Sequence, residues 1–337
     1  MAKAKVSWGI LSTAKIGTQK VIPAMQLGRR TNIVAIASRS PERSKEAAKG
    51  LGIPVALGSY EELLARKDID AVYIPLPNHL HVEWSIKALK AGKHVLCEKP
   101  IAMNASEAAR LLRESKKFPA LKIMEAFMYK HHPQTLAARD LVTKGVIGEL
   151  RNVNAHFSYF NVNPEDIRNK ADIGGGGLLD IGCYCISISR YLFDAEPVRV
   201  FGTVEYDRVM KVDRLVTGLL EFPKGSATVT CSTQMANFQF TKAFGTKGSI
   251  ELEPSFTPMP DRPALLVYAV AGERKELKFD PCDHYTLQGD AFSEAILENH
   301  PVPTSLEDAV ANMRVIDAIF ESGKTGRWIT IGKRGKR

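Results

Sequence analysis

The chain has 337 residues, 45% of them hydrophobic and 25% charged, which suits about two domains with a core each. No run of about 18 apolar residues occurs, so no membrane-spanning helix is expected, and residues 1–5 lead into an apolar strand without a signal-peptide hydrophobic stretch, so the cytoplasm is the expected location. The formal charge of +9 is partly gathered in residues 333–337, an expected basic tail; elsewhere bases and acids alternate and no aromatic-plus-basic strand resembles a nucleic-acid platform, so attraction for anionic small molecules is expected and nucleic-acid binding is not.

From residue 6 to about 125, strand-like and helix-like segments alternate. Residues 6–11 read as a strand, 16–27 as an amphipathic helix and 33–38 as a second strand. A helix over 41–50 follows, with Ser40 as its N-cap and Pro41 in its first turn. Residues 69–75, 94–97 and 121–124 read as further strands. Residues 79–91 and a stretch capped by Asn104 and running to 115 read as helices. Strands alternating with helices of about 10–15 residues define an α/β domain with a doubly wound parallel sheet, here over residues 1–125.

The first strand runs out into Gly9-Ile-Leu-Ser-Thr-Ala-Lys-Ile-Gly17. A dinucleotide fingerprint carries glycines where this chain has Ser12, Ala14 and Gly17. Small side chains at 12 and 14 still let the backbone approach a pyrophosphate, and a helix from Lys15 aims its N–H groups at it. Leu11, Ser12, Thr13, Ala14, Lys15 and Ile16 are therefore candidate cofactor contacts. The second strand ends in Ser38 and Arg39, with Arg43 one helical turn on, where an NAD site usually holds an acid. Ser and Arg donate charge-assisted hydrogen bonds to a 2′-phosphate, so NADP is expected in preference to NAD. At the third strand end, Leu76, Pro77 and Asn78 form a rigid border, and His81 is expected to face the nicotinamide ribose. The strand over 94–97 stops on Glu98-Lys99-Pro100, because proline cannot continue a ladder. A carboxylate and an ammonium then sit at the edge where open parallel sheets bind ligands.

After a helix near 133–144, the second half, residues 126–337, reads as one large, mostly antiparallel sheet. Its strands are expected at 153–160, 198–206, 215–222, 227–232, 238–244, 249–252 and 265–271. Pro223-Lys224-Gly225-Ser226 marks a hairpin turn. A helix over 178–192 lies early in this region, and helices over 285–298 and 305–322 close it, with Ser305 and Asp308 as a cap. A broad open sheet needs covering, so a homodimer or homotetramer through it is expected. The five cysteines are odd in number and scattered, which fits reduced thiols rather than disulfides, and no metal-ligand constellation is present.

Gly174 to Gly177 form a run that lets backbone approach a ligand, and Asp180 and Tyr184, four apart, share a helical face. Arg168 precedes the run as a candidate for substrate or cofactor phosphate. Tyr129, Phe160 and Asn161 are candidate pocket residues. His131 and His132 precede a helix start and are expected to cap it. Taken with the strand-end motifs, Pro77-Asn-His-Leu-His81, Glu98-Lys-Pro100, Met124-Glu-Ala-Phe-Met-Tyr129, His132-Pro-Gln134 and Gly175-Gly-Gly-Leu-Leu-Asp-Ile-Gly-Cys-Tyr184, the whole chain resembles the glucose–fructose oxidoreductase/inositol dehydrogenase (Gfo/Idh/MocA) superfamily. The resemblance implies a Rossmann domain, then an α/β domain on an open sheet, and hydride transfer between a nicotinamide and a sugar or cyclic polyol. It maps the Glu-Lys-Pro lysine onto Lys99, touching both the sugar hydroxyl and the cofactor ribose. Tyrosine at 184, where inositol dehydrogenase-like members carry histidine, resembles the aldose-oxidising branch.

The free phenol ionises near pH 10, and a nearby ammonium would favour the phenolate. Tyr184 is thus the expected general acid/base, Lys99 its electrostatic partner and Asp180 the group that orients sugar hydroxyls. The expected reaction is NADP-dependent oxidation of an aldose such as xylose or glucose at C1 to the lactone. A keto- or anhydro-sugar reductase, a dihydrodiol dehydrogenase and glucose–fructose oxidoreductase share that chemistry, and a non-catalytic NADP sensor is the alternative from another class.

Overall fold

A computed structural model describes residues 4–332, so the expected basic tail at 333–337 lies outside the described residues. Six short apolar strands form the first sheet: β1 (Val6–Leu11), β2 (Thr31–Ala37), β3 (Val55–Leu57), β4 (Ala71–Ile74), β5 (His94–Cys97) and β6 (Ile123–Glu125). They run parallel in the order β3-β2-β1-β4-β5-β6. Every residue of β4 is buried, as expected when helices cover both faces. The strand order reverses between β1 and β4, the place where such sheets open to ligands.

The helices of this half follow the sequence signals with small departures. The helix after β1 opens with a π turn (Gly17–Val21) before α1 (Ile22–Gln26); Pro23 cannot donate an i→i−4 bond there. In α2 (Pro41–Leu51), Ser40 accepts the Arg43 N–H at 3.3 Å, and in α5 (Ala105–Ser115), Asn104 accepts that of Glu107 at 2.9 Å. The strand β3 and the helix α3 (Tyr60–Ala65) were not read from the sequence, because neither is long enough to show a period. The helix α4 (His81–Lys90) precedes β5.

The chain does not divide at a single cut near residue 125. Of the described residues, one compact unit takes those up to 131 together with 283–310, and the other takes 132–282 and 311–332. The correction follows from what the late helix α8 (His284–Leu297) carries. Ser293 accepts the Trp8 indole N–H at 3.1 Å, Phe292 packs on that indole at 5.7 Å, and the Thr286 hydroxyl donates to Ala24 O at 2.7 Å. Asp290 accepts two backbone N–H groups, from Arg29 at 2.9 Å and Arg30 at 2.8 Å. An apolar stripe alone does not reveal which distant surface it covers.

The second unit holds nine strands in the order β14-β13-β12-β11-β7-β10-β9-β8-β15. These are β7 (Leu150–Phe160), β8 (Arg199–Tyr206), β9 (Asp213–Phe222), β10 (Gly225–Ser232), β11 (Gln234–Gly245), β12 (Gly248–Leu252), β13 (Ala264–Val270), β14 (Glu273–Phe279) and β15 (Ile329–Thr330). All neighbours pair antiparallel except β7 with β10, which run parallel. The sequence Glu-Arg-Lys-Glu-Leu-Lys-Phe hid β14, whose charges suit an exposed edge strand. On β7, Val153, Ala155 and Phe157 are buried beneath α7 (Cys183–Phe193), whereas alternate residues face the other side. The helix α6 (Pro133–Thr143) opens on His132, whose Nδ1 accepts the Gln134 N–H at 3.1 Å. Within α9 (Leu306–Thr325), Ser322 accepts the Gly202 N–H at 2.9 Å, and a methyl at Gly202 would lie 2.9 Å from Ile319.

Candidate active site

In the first unit, the chain leaves β1 through Ser12, whose φ of 143° is a region that L side chains rarely adopt. Its hydroxyl accepts the Ala14 N–H at 3.0 Å, which ties the turn to the helix start. Leu11 is buried, whereas Ser12, Thr13 and Ala14 are half-buried and Lys15 is exposed. The first amides of a helix have no intrahelical acceptor and carry partial positive charge, so this end suits a pyrophosphate. At the end of β2, Ser38 is buried and its hydroxyl accepts the Ser40 N–H at 3.2 Å, while Arg39 and Arg43 are exposed. Tyr60, absent from the sequence-based set, brings its phenol beside Ser12 and Arg39. Burial raises the Tyr60 pKa, against the pull of the Arg39 charge, so the phenol stays protonated near neutrality. Small side chains at 12–14, a helix start and two guanidiniums fit a phosphorylated dinucleotide.

Glu98 and Lys99 lie just past β5, half-buried, with a cis peptide joining Lys99 to Pro100. The Tyr73 hydroxyl donates to Glu98 Oε1 at 2.5 Å, and Glu98 Oε2 accepts the Lys99 N–H at 3.3 Å. Burial raises the Tyr73 pKa far above its usual value, with the Glu98 charge adding to it, so Tyr73 remains a donor. The expected role of His81 is corrected. The ring is fully buried, with Nδ1 2.7 Å from Pro100 O and Nε2 2.7 Å from Leu76 O. Burial lowers its pKa to about 4, so at neutral pH it donates to one of these carbonyls at a time. It ties the Leu76 and Pro100 segments together and does not face a ribose. Tyr129 is also corrected: it is fully buried, edge-on to Phe127 at 5.9 Å, and offers no pocket surface.

In the second unit, the glycine run ends in a π turn (Leu178–Gly182) that continues into α7. Asp180 sits on the π turn and Tyr184 on the first turn of α7. Asp180 Oδ2 accepts from the Tyr159 hydroxyl at 2.7 Å and from Arg168 Nε at 3.1 Å. The Arg168 guanidinium also meets Asp166 at 3.4 Å, and Asn161 Nδ2 donates to Asp166 at 2.9 Å. Arg168 is thus engaged by the two carboxylates, with Asp180 as the main cause of its raised pKa. The Tyr184 ring is held by Phe157, 5.7 Å away at 66°, and Phe256, 5.5 Å away at 53°. Asp180 therefore has a fixed carboxylate and Tyr184 a fixed ring.

The same cluster corrects Phe160 and reveals Tyr159. Side chains alternate along β7, so Tyr159 follows Phe157 onto the covered face and reaches Asp180. Phe160 points to the other face and is 67% exposed. Counting by two from Val153 would have found Tyr159. Burial raises the Tyr159 pKa strongly, with the Asp180 charge next, so it serves as a donor. Among the described residues no group of three or more His, Cys, Asp or Glu could hold a metal ion, and no helix is long and apolar enough to cross a membrane.

Two family models match consecutive parts of the chain. Residues 6–124 match the oxidoreductase family with an NAD-binding Rossmann fold, and residues 135–251 match the GFO/IDH/MocA C-terminal domain. The chain is 41% identical to a D-xylose 1-dehydrogenase (NADP(+)) of Haloferax volcanii, over 95% of this chain and 98% of that protein. A crystal structure of a 3-ketoreductase from Actinomadura kijaniata, in complex with NADP and TDP-benzene, superposes with a TM-score of 0.88 at 31% identity, covering 94% of this chain and 98% of that one. An aldose-aldose oxidoreductase from Caulobacter crescentus, complexed with glycerol, gives 0.90 at 27% identity, covering 97% and 100%. The chain belongs to the GFO/IDH/MocA oxidoreductase family. It is an NAD(P)-dependent oxidoreductase acting on sugars.

Proposed function

We propose that the protein is an NADP-dependent aldose 1-dehydrogenase that oxidises a pentose or hexose such as xylose or glucose to its lactone. The observation that carries this reading is the second-unit cluster, where a tyrosine ring held by two phenylalanines stands one helical turn after a carboxylate fixed by Tyr159 and Arg168. The similarity to the Haloferax xylose dehydrogenase supports it.

In this reading Tyr184 takes the proton of the C1 hydroxyl as the C1 hydrogen leaves as hydride, and Lys99 supplies the positive charge that favours the phenolate. Asp180 accepts from sugar hydroxyls and so fixes which carbon presents its hydrogen. The nicotinamide, when bound, accepts that hydride. Ser38, Arg39 and Arg43 donate to the 2′-phosphate of the cofactor, which makes NADP preferred over NAD. The remaining strand-end residues, Leu11 to Ile16 and Leu76 to Asn78, line the cofactor by backbone, with Glu98 and Lys99 at its ribose.

Reduction of a keto-sugar is the second reading, favoured by the similarity to the Actinomadura 3-ketoreductase; it uses the same groups in reverse. Initial rates of NADP⁺ reduction over aldoses, polyols and dihydrodiols, with NADPH oxidation by keto-sugars in parallel, separate the two. The open face of the second sheet shows Phe238, Phe244 and Leu219 exposed beside Phe240 and His156. This face is proposed to pair with a second copy, and light scattering on a size-exclusion column reads a dimer or tetramer if it does. A cytoplasmic location is part of the same proposal.

A further inference from the structure

Asp213, the first residue of β9, was not singled out from the sequence, yet it contacts the segment that carries Asp180 and Tyr184. It is 3% exposed. Its Oδ2 accepts the Leu178 N–H at 2.6 Å, and the Gly177 N–H donates to it as well. The glycine run is shaped around this carboxylate: Gly176 has φ 116°, and a Cβ there would lie 1.9 Å from Asp213 Oδ1. The Gly176 carbonyl in turn accepts the Asp180 N–H at 3.1 Å. One carboxylate thus holds the last glycines and the first helical residue, and the next turn follows from where they are held.

We propose that Asp213 is a positioning residue, whose carboxylate clamps the Gly177 and Leu178 N–H groups and thereby sets the helical start that presents Asp180 and Tyr184. The proposal rests on the assignment of Asp180 and Tyr184 above. Charge-assisted bonds are shorter and stronger than neutral ones, so the two N–H groups are drawn in most closely when Asp213 is ionised. Burial raises its pKa to about 7, with its backbone donors opposing and the Asp180 charge adding to the rise. The ionisable groups that face it are Asp180 on the π turn, Cys231 on β10 and Tyr206 on β8; Arg214, next to it in the chain, pairs with Glu205. None of these supplies a nearby positive charge to hold the carboxylate ionised in acid. Below neutrality Asp213 is therefore protonated: its bonds to the two N–H groups lose their charge assistance, and the closed segment, which binds the proton more tightly than an opened one, opens less readily.

The test compares wild-type enzyme with Asp213→Asn, which keeps the shape and one acceptor but loses the charge. In the variant kcat for sugar should fall about tenfold while KM for NADP⁺ stays within about twofold, and the acid limb of kcat near pH 7 should flatten. A folded variant with wild-type kcat and an unchanged limb overturns the proposal. Hydrogen exchange over residues 176–184, corrected for intrinsic rates, needs no turnover. Wild-type protection there should rise about tenfold between about pH 8 and pH 6, because the closed segment holds the Asp213 proton more tightly than an opened one, and should not change with pH in the variant. Because the wild-type measurement stands alone, a variant that fails to fold leaves it decisive, and pH-independent protection overturns the clamp. If no sugar is turned over, the proposed function fails, while the exchange result still decides the role of Asp213.

Discussion

The strand ends of the first sheet and the polar cluster of the second unit present their chemistry by different means. At the strand ends, small side chains, a turn at Ser12 and a helix start leave backbone N–H groups to meet the proposed cofactor, with Arg39 and Arg43 as exposed additions. In the second unit the chemistry lies in side chains brought together from β7, the loop before the glycine run, and the turn into α7. A backbone cradle needs small side chains rather than glycine alone, and Ser12 and Ala14 meet that need. A side-chain cluster tolerates few changes, because each member fixes the next.

That contrast orders the effects of mutation. Tyr184→Phe removes the group proposed to move the proton, so kcat/KM for sugar should fall by about 10³, with NADP⁺ affinity unchanged by fluorescence titration. Wild-type turnover would remove Tyr184 from the chemistry. Replacing both Arg39 and Arg43 by Ala should raise KM for NADP⁺ by about 10–100-fold and leave NAD⁺ kinetics alone, since only the phosphate contacts are lost. Equal losses with both cofactors would show that the arginines hold something common to the two. Tyr159→Phe takes one of two donors from Asp180, and a drop of about tenfold in kcat, with little change in melting temperature, is expected.

The smallest effect concerns pH and stability. Burial lowers His81, His94, His131 and His132 to about 4 each. A depressed histidine is neutral in the folded state while the unfolded chain binds a proton below about pH 6.5, so the stability it contributes is lost as pH falls from there toward 4. Asp213, raised to about 7, works in the opposite direction over the same window and offsets part of this. A net loss of stability between about pH 7 and pH 5 is expected, read as a lower melting temperature by calorimetry. A flat profile would mean that these rings reach water before the chain unfolds.

Periodicity made the parallel sheet and its caps legible: Ser40, Asn104 and His132 each cap the helix expected of them. The strand-end candidates could be named for the same reason, since a motif near one strand end is local in sequence. Asp180 and Tyr184 were named from the family motif and their helical spacing, but their supports were not. Tyr159 lies 21 positions before Asp180, Asp213 lies 35 after Leu178, and α8 returns to Trp8 across 285 residues. Such contacts are fixed by packing, and no local pattern announces them. His81 misled for a related reason, because a histidine near a strand end looks the same in sequence whether it meets a ligand or two carbonyls.

NADP-dependent oxidation of an aldose at C1 is tested most directly by the ratio of kcat/KM for NADP⁺ and NAD⁺ with xylose or glucose, with the product identified as lactone. Lactone formation with NADP⁺ favoured by about tenfold or more is expected. Turnover of keto-sugars alone, or equal use of the two cofactors, would contradict it.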